Sequence, residues 1–484
     1  MGPLAGKFRR PVWLAWTLIL IGPAPVSATT RIKARLLTPV SSYHSKAGDP
    51  IEALIVPPPC AAPREAFPPQ TVIVGRVQSV RRVGLGLVHE TARMRLDFSG
   101  LRFANGTTID LATHLVGIDN ARERVDRNGN IHGIRATASF ASRIGSRLAI
   151  EAFEHPFLLG PALLVESEMF RFPDPEIEYD RGAELSLDVL LPESLAEPAC
   201  PSEAPDASSN VPDEVSQLVA RLPYWSFSKR QPQPMDLINL VFIGSRQEIE
   251  TAFAAAGWTG SRPNSMSAGL RVVRAIVEER QAAFAPMRTL LLNGDEADLS
   301  LQTALNTFEK RDHLRMWEQN EEWQGRPIWA SAATRDIATT FSMGHPFGFT
   351  HEIQNNVDLE REKVVSDLQL TGCVDSVEYV QHGPAVGKES RKGVYTDSRV
   401  AVIHLNSCDQ PAENFAATLP EPPPALGVRV VRRLTLTTRN HFLRDNIVWR
   451  SADAARIGVG AIRHWYARRN EQRVAASSLR ASVQ

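Results

Sequence analysis

Residues 237–244 read LINLVFIG and run directly into SRQE at residues 245–248, and this stretch decides the architecture of the second half of the chain. An apolar run of that length, interrupted only by Asn239, is typical of a strand buried on both faces. The serine and the glutamate of SRQE form a capping box, which predicts that a helix begins there. Ile249 and Phe253 share one face of this helix, and Gly257 is placed to end it. A buried strand followed at once by a capped helix predicts a domain that mixes α and β structure.

Helix-like and strand-like patterns continue outward from this stretch. Apolar residues recur at helical spacing over residues 267–281 and 357–370, and a basic helix is predicted over residues 452–473. Strand-like runs lie between them: TLLLN (289–293), DHLRMW (312–317), PIWASAA (327–333), residues 374–380 and residues 400–405. We therefore predict an α/β or α+β domain over residues 213–475, followed by a short tail at 476–484.

The first half of the chain has a different periodicity. Within residues 93–98, Met94, Leu96 and Phe98 alternate with charged residues, as in a sheet with one buried and one solvated face. Further strand-like runs, separated by turn signals, are IEALIV, TVIVGRV, TIDLATHLVGI, IHGIRATASF and ELSLDVLL. This pattern predicts an all-β, barrel-like domain over residues 29–191. Prolines and serines make residues 192–212 the predicted linker between the two domains.

The N-terminus carries the layout of a secretory signal peptide. Lys7, Arg9 and Arg10 precede an apolar segment at residues 11–22, and the small residues of Val-Ser-Ala end at Ala28. We therefore predict that residues 1–28 are removed near Ala28 and that the mature protein is periplasmic or exported. The alternative is an uncleaved anchor, although the apolar segment is shorter than the roughly 20 residues that span a bilayer as a helix.

Four cysteines are present, and an oxidising compartment favours disulfides between some of them. Cys60 and Cys200 lie in Pro-rich segments, whereas Cys373 and Cys408 flank two strand-like runs. We favour the pairs Cys60–Cys200 and Cys373–Cys408. Four unpaired, buried thiols are the alternative.

Composition excludes several classes of protein. The 484 residues carry 54 basic and 54 acidic side chains, so net charge gives no reason to expect nucleic acid as a partner. Glycine-rich phosphate loops and the G-x-S-x-G hydrolase elbow are absent from the sequence, and no cofactor is predicted. The arginine-rich C-terminal helix predicts either peripheral contact with an anionic membrane or docking onto its own domain.

Several motifs of the second half occur together in a recognisable order. They are Asp236–Gly244, Ala256–Trp258, Arg311–Trp317, Ile328–Ala332, His351, Asp358–Glu362 and Leu368–Gly372. In this order they resemble the LssY-type C-terminal domain. That resemblance implies work at the bacterial envelope, and it implies no established catalytic activity. In the first half, Lys46–Pro50 followed by Val72–Val77 resembles the β domains of periplasmic secretion-channel proteins.

The RDHLRMW motif is the strongest candidate for a binding site. On a strand, Arg311, His313, Arg315 and Trp317 point to one face, with His313 and Arg315 about 6.5 Å apart. An imidazole and a guanidinium at that spacing can both reach one phosphate or carboxylate. The alternative is structural: Arg315 pairs with an acid of the following helix, from Asp358, Glu360 or Glu362, and His313 is a satisfied, half-buried histidine.

A divalent metal is a weaker possibility. His351, Asp358 and Glu362 supply suitable ligand types, and the two acids share a helical face at i and i+4. Acids in the first turn are also expected from the helix dipole alone, and no paired-histidine motif supports them. We therefore predict no metal site.

Two functions follow from these patterns. The first is a non-catalytic envelope protein that binds an envelope protein or a small anionic ligand, and we favour it. The second is a hydrolase of phosphorylated or lipid-derived substrates, with His313 as acid or base, Arg315 as an electrostatic clamp and His351 as a further catalytic candidate.

Overall fold

The structure is a computed structural model. It describes residues 29–56, 67–68, 70–84, 91–120, 122–135, 174–190, 212–229, 233–261, 287–303, 310–341, 349–387, 393–409, 411 and isolated positions between 427 and 469. The predicted signal peptide, Cys60, Cys200, the helix predicted at residues 267–281, nearly all of the linker and most of the C-terminal helix lie outside these residues.

The first domain is built from β-strands throughout its described part. Its strands are β1 (Thr29–Leu36), β2 (Val40–Ser41), β3 (Pro50–Val56), β4 (Val72–Arg81), β5 (Arg93–Arg102), β6 (Thr108–Asp110), β7 (Ala112–Ile118), β8 (Arg124–Val125), β9 (Asn130–His132), β10 (Glu178–Tyr179) and β11 (Glu184–Leu190). Nine of them form one sheet in the order β7-β11-β1-β3-β4-β5-β9-β8, with β6 paired to β5, while β2 and β10 form a separate ribbon.

This sheet curls into a nearly closed barrel. The edge strand β7 returns to β5, where the Thr113 hydroxyl donates a hydrogen bond of 2.6 Å to the Phe98 carbonyl. Met94, Leu96 and Phe98 point into the barrel core, as their alternation predicts. Gly75 lies where the β4–β5 register shifts, and a Cβ there would stand 2.0 Å from the Asp97 carbonyl oxygen. Only glycine allows the two backbones to approach so closely at this bend.

The second domain combines strands with helices. The strands are β12 (Trp225–Ser228), β13 (Pro234–Leu237), β14 (Leu240–Ile243), β15 (Trp258–Gly260), β16 (Leu290–Leu292), β17 (Asp295–Glu296), β18 (Leu299–Thr303), β19 (Arg311–Trp323), β20 (Arg326–Phe341), β21 (Phe349–Ile353), β22 (Val374–Gln381) and β23 (Arg399–Leu405). The described helices are α1 (Asp213–Arg221), α2 (Arg246–Ala255) and α3 (Asp358–Thr371).

Eight of these strands form a mixed sheet in the order β15-β18-β19-β20-β14-β23-β22, with β21 paired to β20. The central pair β14–β23 is parallel, and the other described pairs of this sheet are antiparallel. Strands β13-β12-β16-β17 form a smaller sheet. The domain is therefore α+β, one of the two classes that the sequence predicts.

Local signals of the sequence place the helix ends. Ser245 and Glu248 form both hydrogen bonds of the predicted capping box at the start of α2. Helix α3 confirms the helix predicted over residues 357–370, and Gly372 ends it in the left-handed conformation at φ 77°. Cys373 and Cys408, which follow α3 and β23, form the predicted disulfide. No helix in the described part of the chain is long and apolar enough to cross a membrane.

Candidate functional site

The RDHLRMW motif lies in the middle of the second domain, on β19. Leu314 and Met316 pack into the core that contains α3, whereas Trp317 packs on the opposite side of the sheet. His313 and Arg315 share the side of Trp317, and each of the two is only 5% exposed. The side chains of β19 therefore alternate between the two faces of the sheet as expected, but His313 and Arg315 point into the protein and not toward solvent.

Arg315 has an internal counter-ion. Its Nη1 lies 2.9 Å from the Asp236 carboxylate, and its Nε donates a hydrogen bond of 3.1 Å to the Arg288 carbonyl. Burial lowers the pKa of Arg315, and it raises the pKa of Asp236 although Arg315 opposes that rise. The acid comes from β13, so the expectation that helix α3 supplies the partner is wrong. Arg315 points away from α3, which packs on the Leu314 face.

His313 is held neutral by its surroundings. Its Nε2 lies 3.0 Å from the Thr334 hydroxyl and its Nδ1 lies 3.4 Å from the Arg311 carbonyl. Arg311 itself forms an ion pair of 3.1 Å with Asp336, whose carboxylate is 3.9 Å from the imidazole. Burial lowers the pKa of His313 to about 3, although Asp336 opposes that shift. Near neutral pH this histidine is therefore the uncharged imidazole and not the imidazolium that a general acid requires.

The metal candidates do not converge in the described part of the chain. Asp358 and Glu362 both bind the buried Arg361, at 3.2 and 2.7 Å. Glu362 also accepts a hydrogen bond from the Tyr379 hydroxyl at 2.5 Å. His351 lies on β21 opposite Thr339, and its side chain lies outside the described part. No group of three or more His, Cys, Asp or Glu side chains among the described residues could hold a metal ion.

Helix α3 lies in the interface between the two domains, and the residues around it form a second candidate site besides the RDHLRMW motif. Ten of its 14 residues are buried. Val364 and Leu368 enter the core of the second domain. Leu370 packs instead against Leu54 and Val56, on the outer face of β3 in the first domain. The barrel and the α+β domain therefore share one interface, with α3 inside it.

Buried ion pairs cross this interface. Lys363 of α3 lies 2.9 Å from Glu184 of β11. Arg35 of β1 lies 2.7 Å from Asp367 of α3 and donates to the Ala256 carbonyl at 2.5 Å. All four side chains are at most 8% exposed. Although burial opposes them, Asp367 and Glu184 raise the pKa of Lys363, and the nearby cations lower the pKa of Glu184. Glu184 also lies 2.9 Å from Lys33, and Asp367 also lies 3.3 Å from Lys363, so each buried acid has two cationic partners.

Arg335 forms a further bridge between the domains. It pairs with Asp119 of the barrel and, at 3.2 Å, with Asp312 of β19. Asp312 is also hydrogen-bonded to Glu360 of α3, and both carboxyl groups are buried. Burial first, and then the negative charge of Asp312, raises the pKa of Glu360 well above its ordinary value. Burial and the neighbouring Asp312 therefore favour the neutral form of the Glu360 carboxyl group.

A cleft opens beside these ion pairs. It has a volume of about 530 Å³ and lies between α3 and the outer face of β1, β3 and β11. Its apolar lining includes Val56, Phe67 and Leu359. Its charged lining consists of four basic and four acidic residues: Arg31, Lys33, Arg335, Lys363, Glu184, Glu360, Glu362 and Asp367. Both domains contribute walls, so neither could form the cleft alone.

Neither this cleft nor its charged residues were predicted from the sequence. One usable signal was present: Arg31, Lys33 and Arg35 alternate along β1, and Glu184, Ser186 and Asp188 alternate along β11. Such alternation predicts a charged outer sheet face. It carries no information on the domain that covers the face, and so the cleft could not be predicted.

A match to a known family supports the resemblance of the second half to the LssY-type C-terminal domain. Residues 220–398 match the family model of the LssY C-terminus. This segment includes β19, β20 and α3 but not β1 or β11, so it provides one wall of the cleft. No curated protein matches the chain.

Proposed function

Because the second half of this chain is an LssY-type C-terminal domain, we propose that the protein is an exported, non-catalytic binding protein of the bacterial envelope. Its ligand is a small anionic molecule, which binds in the cleft between the barrel and the LssY-type domain. The N-terminal signal layout supports export, and the cleft supports binding.

The cleft is the observation that carries the proposal. Ligand sites are commonly cavities of about 300–1,000 Å³ at domain interfaces, apolar with a few polar groups. This cleft has about 530 Å³ and lies between the two domains, and polar or charged side chains outnumber apolar ones in its lining. Arg31 and Lys33 lie on its rim with side chains 67% and 46% exposed, so they can turn toward an anion. A ligand that contacts both walls would depend on the docked arrangement of the two domains.

The hydrolase alternative has no such support. His313 and Arg315 are buried, Asp236 neutralises the arginine, and the lining of the cleft includes neither side chain. A clamp for phosphate needs a free cation that substrate can reach. We therefore retain binding as the one proposed function.

Blocking the cleft tests this proposal. Ser186→Trp would place a large ring on the cleft wall of β11, and Ser99→Trp on β5 is the matched control outside the cleft. The protein is purified from the periplasm with bound molecules retained, and small anions are identified by native mass spectrometry. We expect a ligand on the wild type and on the control but not on Ser186→Trp. Equal ligand content in all three proteins, or none in the wild type, would overturn the proposal.

Export is tested separately. Cell fractionation and N-terminal sequencing should find the mature protein in the periplasm, starting after Ala28. An intact N-terminus in the membrane fraction would replace the periplasmic assignment with a tethered one.

A further inference from the structure

The cleft has an apolar side that a simple anion would not use. Leu359, in the first turn of α3, lines it and is 52% exposed. Val56 and Phe67 of the barrel line the same cleft and are each 4% exposed. Leu359 therefore supplies nearly all of the exposed apolar surface of these three residues, and this is the surface that a hydrocarbon chain would cover.

The charges of the cleft are divided by depth. Glu184, Lys363 and Asp367 are at most 8% exposed and neutralise one another or Arg35. Arg31 and Lys33 are the exposed cations of the lining: Arg31 donates two hydrogen bonds to Asp188, and Lys33 lies 2.9 Å from Glu184. An anionic group would therefore compete for these exposed ion pairs, which contribute less than the buried pairs deeper in the cleft.

We propose that the ligand of this cleft is a single-chain amphiphile, with an anionic head group at Arg31 and Lys33 and a hydrocarbon tail against Leu359, Val56 and Phe67. This inference rests on the proposed function and specifies its ligand class. A free fatty acid and a lysophospholipid share the chemistry, and the experiment distinguishes them.

Chain length gives the first test. Each methylene transferred from water to an apolar site contributes about 0.8 kcal/mol, which is roughly a fourfold change in Kd. Calorimetric titration of the mature protein with octanoate, decanoate and dodecanoate, all below micelle formation, should show that increment until the tail fills the cleft. Dodecanol should bind more weakly than dodecanoate, because it lacks the charge. Titration with lysophosphatidylglycerol of the same acyl chain length tests whether the amphiphile is a lysophospholipid instead of a free fatty acid.

Two matched variants give the second test. Leu359→Ser should raise the Kd for dodecanoate about tenfold, because half of an exposed leucine is no longer covered by the tail. Leu190→Ser is the control: Leu190 is 44% exposed on β11 and does not line the cleft. Arg31→Gln should weaken dodecanoate but leave dodecanol unchanged. The exposure of all three side chains makes folded variants the expectation, and circular dichroism checks this.

Three results would overturn the inference: a Kd independent of chain length, equal affinity for dodecanol and dodecanoate, or equal loss in Leu359→Ser and Leu190→Ser. If another anion co-purifies and Ser186→Trp releases it while dodecanoate fails to bind, the ligand class is wrong and the proposed function stands. If Ser186→Trp keeps every ligand of the wild type, the proposed function itself fails.

Discussion

Replacing Arg315 by methionine separates a structural arginine from a ligand-binding one. Arg315→Met keeps most of the side-chain volume but removes the partner that lies 2.9 Å from Asp236. Asp236 is then a buried carboxylate without its counter-ion. Breaking a buried ion pair in this way destabilises a protein by roughly 3–5 kcal/mol. The exposed ion pair Arg246–Glu250 provides the control, since Arg246→Met should change stability by less than about 1 kcal/mol.

The stability lost in Arg315→Met should depend on pH, and the protonation of Asp236 decides whether the loss grows or shrinks as pH rises. Burial already raises the pKa of Asp236, and removal of Arg315 removes the charge that opposes the rise. A carboxyl with a raised pKa in the folded protein is least destabilising when protonated. Arg315→Met should therefore lose stability as pH rises above 3.8, the ordinary pKa of an aspartate, by about 1.4 kcal/mol per pH unit until the folded pKa is reached.

Urea unfolding followed by circular dichroism at pH 5 and pH 8 measures both effects. The double variant Arg315→Met/Asp236→Asn should recover most of the stability at pH 8, because it removes the stranded charge. Three results would refute this reasoning: stability equal to that of Arg246→Met, no dependence on pH, or no recovery in the double variant. A loss of phosphate binding with unchanged stability would instead restore the anion site predicted from the RDHLRMW motif.

The interface and the disulfide provide three further predictions. Glu360→Gln should stabilise the protein near pH 8. The wild type loses stability as pH rises from 4.5, the ordinary pKa of a glutamate, toward the raised pKa of folded Glu360, and glutamine has no proton to lose. Equal urea midpoints at pH 5 and pH 8 for both proteins would contradict this. Replacing Cys373 and Cys408 by serine should destabilise the protein by about 4 kcal/mol, from their separation of 35 residues, and reduction of the wild type should match it. After proteolysis within residues 192–212, the two halves of the wild type should stay together on gel filtration, whereas the two halves of the cut Lys363→Met variant should separate. Separation of the cut wild type would show that the buried ion pairs do not hold the domains together.

The sequence by itself determined the local structure and its faces. The capping box at Ser245 and Glu248 begins α2 because both hydrogen bonds close within four residues. Gly372 ends α3 because glycine adopts the left-handed conformation without strain. Alternation along β19 likewise sets which side chains share a face, since the pleat has a period of two residues. The first strand, β1, was not among the predicted strand-like runs, although Arg31, Lys33 and Arg35 alternate along it with Ile32, Ala34 and Leu36.

Only the tertiary structure decided which groups meet. A buried charge requires a counter-charge, but many acids in the chain could supply it, and periodicity does not choose among them. Arg315 therefore takes Asp236 of β13 rather than an acid of α3, and Arg35 takes Asp367 from the other domain. The cleft depends on the same choice, because its walls come from segments far apart in the chain. Local periodicity defines a surface, whereas the packing of two complete domains decides what that surface faces.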